Sequence, residues 1–346
     1  MNIRQEILNA PESLRETLEK GRPEYEAVVR ATRWTARPLY LVGRGASYLA
    51  ALAGGLAFES LLGLPVIVRR ALDFRAYSAS ALDARSVLLA VSQSGESRDV
   101  LECARAGRRR GATVLALTSS PTTSLAKLAD RVLVVRAGEE PEPRVRTVLC
   151  QHAALSAVAL LAARLLKPPD PQIASVEEEL LSLPGGIERT LTQFRDALRS
   201  LAAELAGAKR LSVVGGGFYY PAALQWSRLV EKWLGIPVAC FTPDQFSDFY
   251  ESSAGSRRTP EEAPKVVVLS GSRSKLQAQV DEVARECRKA GTAVFSVTDA
   301  ADRELAARSS MAVLLPALHE LPGSILTLAL LDWVAWEVSK ELTKPA

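Results

Sequence analysis

SVLLAVSQSGESRDVLECARAGRRRGATVLALTSS occupies residues 86–120, and KVVVLSGSRSKLQAQVDEVARECRKAGTAVFSVTD occupies residues 265–299. Each opens on an apolar run too short for a helix and passes through a polar turn rich in serine and glycine. Each then continues with apolar residues at helical spacing and returns to an apolar run. The first stretch therefore predicts strands at about 86–91 and 113–118 joined by a polar loop and a helix. Continuous apolar strands separated by helices are those of a parallel sheet covered on both faces.

The same order extends outward from both stretches. LYLVGRGASYLAALAGGLAFESLLG (39–63) reads as strand, glycine turn and helix, followed by PVIVRRALDF (65–74) as a second strand, and RVLVV (131–135) adds another. KRLSVVGGGFYYPAALQWSRLVEKWLGIPVACF (209–241) repeats strand, glycine turn, long helix and proline-led strand, and SMAVLLP (310–316) parallels RVLVV. FESLLGLPVIV and VEKWLGIPVAC correspond closely, each helix ending near glycine before the strand. The expected fold is α/β, with two tandem mostly parallel sheets, each flanked by helices in a three-layer α/β/α sandwich. The expected organisation is a helical preface over 1–37, a first sheet domain over 38–168, a linker and helix over 169–207, and a second domain with a C-terminal helix over 208–346. Prolines in LLKPPDPQIASVEEELLSLPGG place the division, with a linking helix at Ile173 to Leu183. In the preface, Pro11 and Glu12 can start a helix.

Composition narrows the classes of function. With 48% hydrophobic and 24% charged residues, the chain of 346 residues reads as globular. Lys and Arg total 43 against 39 Asp and Glu, too small an excess to imply nucleic acid without a concentrated basic patch. Arg108-Arg109-Arg110 reads as a solvated helix end. The four cysteines are dispersed and the two histidines, His152 and His319, isolated, so no metal site is expected. AALSAVALLAARLL and ILTLALLDWVAWEV are interrupted or too short for a membrane span, and the N-terminus has no apolar signal core. A cytoplasmic protein without membrane association is the expectation.

The chemistry-bearing stretch is Ser92-Gln93-Ser94-Gly95-Glu96-Ser97, between a strand and a helix. There, backbone N–H groups and a helix N-terminus favour an anion. Ser92, Ser94 and Ser97 add hydroxyl donors, and Gly95 permits close passage of the backbone. An ordinary helix cap accounts for the same residues, and both readings stand at this point. Gly43-Arg44-Gly45-Ala46-Ser47 occupies the earlier strand-to-helix turn. Tyr48 stands where a dinucleotide fingerprint needs its last glycine, and a GxxxxGK[ST] loop is missing, so phosphosugar outranks nucleotide and no cofactor is expected.

These segments, from LYLVGRGASYLAA through SQSGES to LAKLADRVLVV, resemble the sugar isomerase (SIS) domain. The duplicated core is similar to the isomerase part of glucosamine-6-phosphate synthase and to double-SIS phosphosugar isomerases and deaminases. The resemblance implies a phosphate site at Ser47, Ser92, Gln93, Ser94 and Ser97, with Gly45 and Thr147 facing the sugar. It departs from the family at Ala46, which replaces a hydroxyl, and at Val148-Leu149, which replace a threonine-lysine pair. It implies that Glu231 moves a proton between adjacent sugar carbons; from the residues alone, Glu231 reads as an exposed helix glutamate beside Lys232. Ser247 stands near the family's histidine, leaving Asp244, Asp248, Glu251 or His319 as candidates for a second acid or base. The tail KELTKPA offers Lys344 without the family's surrounding motif, so a complete glutamine-dependent synthase is not expected. The implied function is a phosphosugar isomerase or aminosugar-phosphate deaminase working as a homodimer. A noncatalytic phosphosugar-binding or regulatory protein is the alternative.

Overall fold

A computed structural model describes residues 3–34, 38–253 and 265–343. The chain divides into two compact units, Asn9–Pro184 and Met1–Leu8 together with Gly185–Ala346. These are called the first and second units.

In chain order, the elements leading into and through the first unit are α1 (Ile3–Arg15), α2 (Arg22–Ala31), β1 (Leu39–Gly43), α3 (Ala46–Leu62), β2 (Val66–Arg70), a short α4 (Ala71–Asp73), β3 (Val87–Val91), α5 (Arg98–Arg109), β4 (Thr113–Thr118), α6 (Ser124–Leu128), β5 (Arg131–Val134), α7 (Arg146–Leu166) and α8 (Pro171–Gln193). They continue with α9 (Arg195–Ala206), β6 (Leu211–Gly215), α10 (Tyr219–Leu234), β7 (Val238–Phe241), α11 (Pro243–Ser253), β8 (Lys265–Leu269), α12 (Gln277–Lys289), β9 (Val294–Asp299), α13 (Arg303–Arg308), β10 (Met311–Leu315) and α14 (Glu320–Leu342).

Each unit carries a five-stranded sheet, in the orders β2-β1-β3-β4-β5 and β7-β6-β8-β9-β10, and all pairings are parallel. The duplication read from sequence is thus a duplication of topology. The expected α/β fold of two helix-flanked parallel sheets is the one observed.

Alternation along the strands explains the layers. On one face of the first sheet Tyr40, Val42, Leu88, Ala90, Val114 and Ala116 pack with Phe74 and with Val100, Cys103 and Ala104 of α5. Val266, Val268 and Val294 pack with Val280, Val283 and Cys287 of α12 in the second unit. All strand residues of β1, β3 and β6 are buried, which is why these strands read as unbroken apolar runs.

Three boundaries differ from expectation. The first helix begins at Ile3 and runs through Pro11 rather than starting there. The preface does not stand apart: the Tyr25 hydroxyl donates to the Val134 carbonyl at 2.8 Å and the Arg136 N–H donates to Thr17 Oγ1 at 3.0 Å, covering the edge strand β5. The linking helix is longer than Ile173 to Leu183; α8 passes through Pro184, where the two units divide.

The apolar runs also belong to longer helices than expected. Arg146–Leu166 and Glu320–Leu342 have 21 and 23 residues, enough to cross a bilayer by length and composition. Their apolar windows are 83% and 94% buried in the fold, so these are core helices. The Trp226 indole of α10 donates to the Leu331 carbonyl of α14 at 2.7 Å, and Trp333 of α14 is buried.

Candidate functional site

The strand order reverses direction between β1 and β3. In an open α/β sheet a crevice forms beyond the carboxyl ends of two such strands, and ligands bind there. Gly43 pairs with Val91 at that end, so the turns Arg44 to Ser47 and Ser92 to Ser97 flank one crevice. Gly45 has φ +59° at the N-cap of α3, and Gly95 has φ +65°. At Gly95 a Cβ would lie 2.4 Å from Thr123 Cβ and Oγ1, so this turn requires glycine.

The serine turn is braced from within. Ser92 is buried, and its Oγ accepts the Gly95 N–H at 3.2 Å. The Ser94 hydroxyl accepts the Glu96 N–H at 3.3 Å, and the Glu96 carboxylate accepts the Ser124 N–H at 2.8 Å. That contact lowers the Glu96 pKa and ties the turn to α6. The Gln93 carbonyl accepts the Ser119 N–H at 3.0 Å and the Thr118 hydroxyl at 3.2 Å.

Against this bracing, several polar groups of the turn have no partner among the described residues. They are the N–H of Ser94, an exposed residue, and the buried Gln93 Oε1 and Ser97 Oγ; outside the turn, at the start of α7, the buried Thr147 Oγ1 is likewise without one. Ser97 caps α5 by position, but its side chain makes no capping bond. Buried polar atoms without partners are uncommon and point to a partner from outside the chain. The cap-only reading of this turn therefore loses its main support.

Thr147 lies in the first turn of α7, whose N-terminal N–H groups are taken by the buried Glu140 carboxylate: Val145 and Arg146 donate to Oε1, both at 2.7 Å, and Thr147 to Oε2 at 2.9 Å. One turn further along α7, Gln151 Nε2 donates to Ser47 Oγ at 3.2 Å. Sequence reading missed Gln151. Its only signal was a spacing of four residues from Thr147, which places both on one helix face.

The second unit repeats the crevice and fills it. Strand pairing makes Ser272 the counterpart of Ser94, Lys275 of Ser97, Asp299 of Ser119 and Tyr219 of Ser47. The Asp299 carboxylate accepts the Ser272 N–H at 2.7 Å and its hydroxyl at 2.9 Å. Glu320 accepts the Lys275 N–H at 3.3 Å. Asp299, Glu320 and Tyr219 are all buried, and burial beside the two carboxylates raises the Tyr219 pKa. The second unit thus supplies its own anions to the donors that are unclaimed in the first.

The remaining candidates lie in the second unit. Glu231 is exposed; its Oε1 accepts the Val238 N–H at 3.1 Å, and its carbonyl accepts the Gly235 N–H at 3.1 Å. Glu59 makes the same two contacts, with Val66 at 3.2 Å and Gly63 at 2.9 Å. Asp244 and Asp248 are exposed on α11, and the Thr242 hydroxyl holds the Asp244 carboxyl below its usual range. Glu251 lies in α11 with its side chain outside the described residues, as is Lys344. His319 caps α14, its Nδ1 accepting the Leu321 N–H at 3.3 Å. Ser247 donates to Glu286 at 3.1 Å.

A sheet duplicated in topology, with a serine turn at the reversal point of the first copy, defines the class: the chain is a SIS-domain protein, and residues 34–163 match the SIS domain family model. It is homologous to glutamine–fructose-6-phosphate aminotransferases (isomerizing). That of Methanothermobacter thermautotrophicus is 35% identical over 220 residues, covering 64% of this chain and 35% of the relative. That of Thermococcus kodakarensis is 25% identical over 338 residues, covering 96% of this chain and 54% of the relative. The chain therefore spans about a third to a half of these relatives' length.

Two solved structures share the fold. The C-terminal domain of glucosamine-fructose-6-phosphate aminotransferase from Francisella tularensis superposes with a TM-score of 0.86 at 19% identity, covering 99% of this chain and 97% of that one. Tagatose-6-phosphate ketose/aldose isomerase from Escherichia coli gives 0.80 at 16% identity, covering 99% and 93%.

Proposed function

We propose that this protein is a cytoplasmic phosphosugar isomerase or aminosugar-phosphate isomerase/deaminase, holding its substrate by the phosphate on the Ser92–Ser97 turn and acting as a homodimer. The observation that carries the phosphate site is the contrast between the two units. Where the second has the Asp299 carboxylate on Ser272, the first has Ser119 and an unclaimed Ser94 N–H. Ser92, Ser94, Ser97 and Ser47 supply neutral donors to the phosphate, with Gln93 beside them; Gly45 and Thr147 face the sugar.

Phosphate binding would fix the open chain while a carboxylate moves a proton between neighbouring carbons through a cis-enediol, or through an enolamine for an amino sugar. By resemblance that carboxylate is Glu231. The second acid or base is one of Asp244, Asp248, Glu251 and His319; the depressed pKa of Asp244 disfavours it as a proton donor near neutral pH.

A noncatalytic phosphosugar-binding or regulatory role is the second reading. It is favoured by the exposure of Glu231, by the Glu59-like contact it makes and by Ser247 near the family's histidine position. The deciding experiment measures binding and turnover of a panel of hexose and aminohexose 6-phosphates. Interconversion or ammonia release supports the enzyme, binding without turnover supports the regulator, and no binding across the panel ends both.

A further inference from the structure

Gln151 is fully buried, yet only one end of its amide is satisfied: Nε2 donates to Ser47 Oγ at 3.2 Å, while Oε1 has no partner. Ser47 is half-buried at the start of α3, directly after the Gly45 turn. A serine oxygen that already accepts a hydrogen bond keeps its own proton for another acceptor. The amide therefore decides which way the Ser47 hydroxyl points.

We propose that Gln151 is a positioning residue for the phosphate: by donating to Ser47 Oγ from behind, it turns the Ser47 O–H into the crevice as a fixed donor to the phosphate oxygen. The inference rests on the proposed phosphate site and adds to it the residue that sets one donor's direction. A preorganised donor binds an anion without having to reorient, whereas a freely rotating hydroxyl must be ordered on binding. The residue type matters for the same reason. A carboxylate at 151 has no proton to give, so Ser47 would turn inward to donate to it, and a second negative charge would lie behind the anion site.

Calorimetric titration of the full chain with inorganic phosphate and fructose 6-phosphate tests this, with Gln151→Glu, Gln151→Met and Ser47→Ala. Gln151→Glu is expected to weaken binding about tenfold or more at pH 8, the scale of one lost charge-assisted hydrogen bond. The deficit relative to wild type at the same pH should shrink as the pH falls, because a protonated glutamic acid again donates to Ser47. Gln151→Met, which tests the same contact without a new charge, should weaken binding in the wild-type background and have no further effect in Ser47→Ala. Unchanged affinity in both Gln151 variants, or an equal loss from Gln151→Met with and without Ser47, overturns the proposal. If the wild-type chain binds neither ligand, the reading of the site fails instead, independently of Gln151.

Discussion

Asp299 holds Ser272 by two hydrogen bonds, one from the backbone N–H and one from the hydroxyl. The pair sits at the carboxyl ends of β8 and β9, the positions that Ser94 and Ser119 occupy beyond β3 and β4. At this one position, aspartate in the second unit takes the Ser272 N–H, whereas serine in the first leaves the Ser94 N–H without a partner among the described residues. The chain carries its own comparison of the two states.

Transplanting that residue should close the first site. Ser119→Asp is expected to place a carboxylate against Ser94 and abolish binding of sugar phosphates, while circular dichroism and the unfolding midpoint stay close to wild type. Undiminished phosphosugar affinity in this variant would contradict the equivalence of the two turns.

The reverse loss should be felt as stability. Asp299→Ala leaves the Ser272 and Ala301 N–H groups without their acceptor, at a cost of about 1–3 kcal/mol. Ser119→Ala, at the counterpart position, should stay within about 0.5 kcal/mol of wild type. Urea unfolding of the two variants side by side checks the asymmetry; equal destabilisation would refute it.

Glu59 and Glu231 make matched contacts to the strand that follows each helix. Because both are exposed, Glu59→Gln and Glu231→Gln should each change stability by less than about 1 kcal/mol. Turnover separates them. Proton transfer by Glu231 requires that Glu231→Gln abolish interconversion with substrate affinity retained, and that Glu59→Gln remain active; equal activity in both variants removes Glu231 from the chemistry.

His152 gives the fold an acid limit. Burial alone holds its pKa at about 4, against 6.5 for the free side chain. The folded chain therefore resists a proton that the unfolded chain accepts. This contribution is fully present above pH 6.5 and is lost as the pH falls from there to about 4, reaching about 3 kcal/mol. Denaturation midpoints between pH 8 and 4 should decline through this window in the wild type and lack that component in His152→Leu. An identical pH slope in the variant would show that other groups set the acid limit.

The architecture was legible in the chain because parallel strands buried on both faces must be apolar throughout, and the duplication displayed each strand twice. The serine turn was legible too, since SQSGES joins a buried strand to a helix start. Gln151 was not, because a polar residue beside His152 in the largely apolar helix around Leu149 and Leu155 carries no local mark of what it touches. The contrast between Ser119 and Asp299 was present in the letters TSS and VTD, but nothing local said that the aspartate side chain folds back onto Ser272.

Sequence alone determined the repeated strand-turn-helix order, the two parallel sheets and the position of a serine-rich turn between a strand and a helix, since periodicity and turn chemistry act between near neighbours. Tertiary structure decided which of the two turns keeps its donors unclaimed, that Glu231 lies exposed against Val238, and that a glutamine from a distant helix holds Ser47. Those outcomes depend on which side chains meet across separate strands and helices, and hydrogen-bond donors are satisfied by whatever acceptor packing brings within about 3 Å.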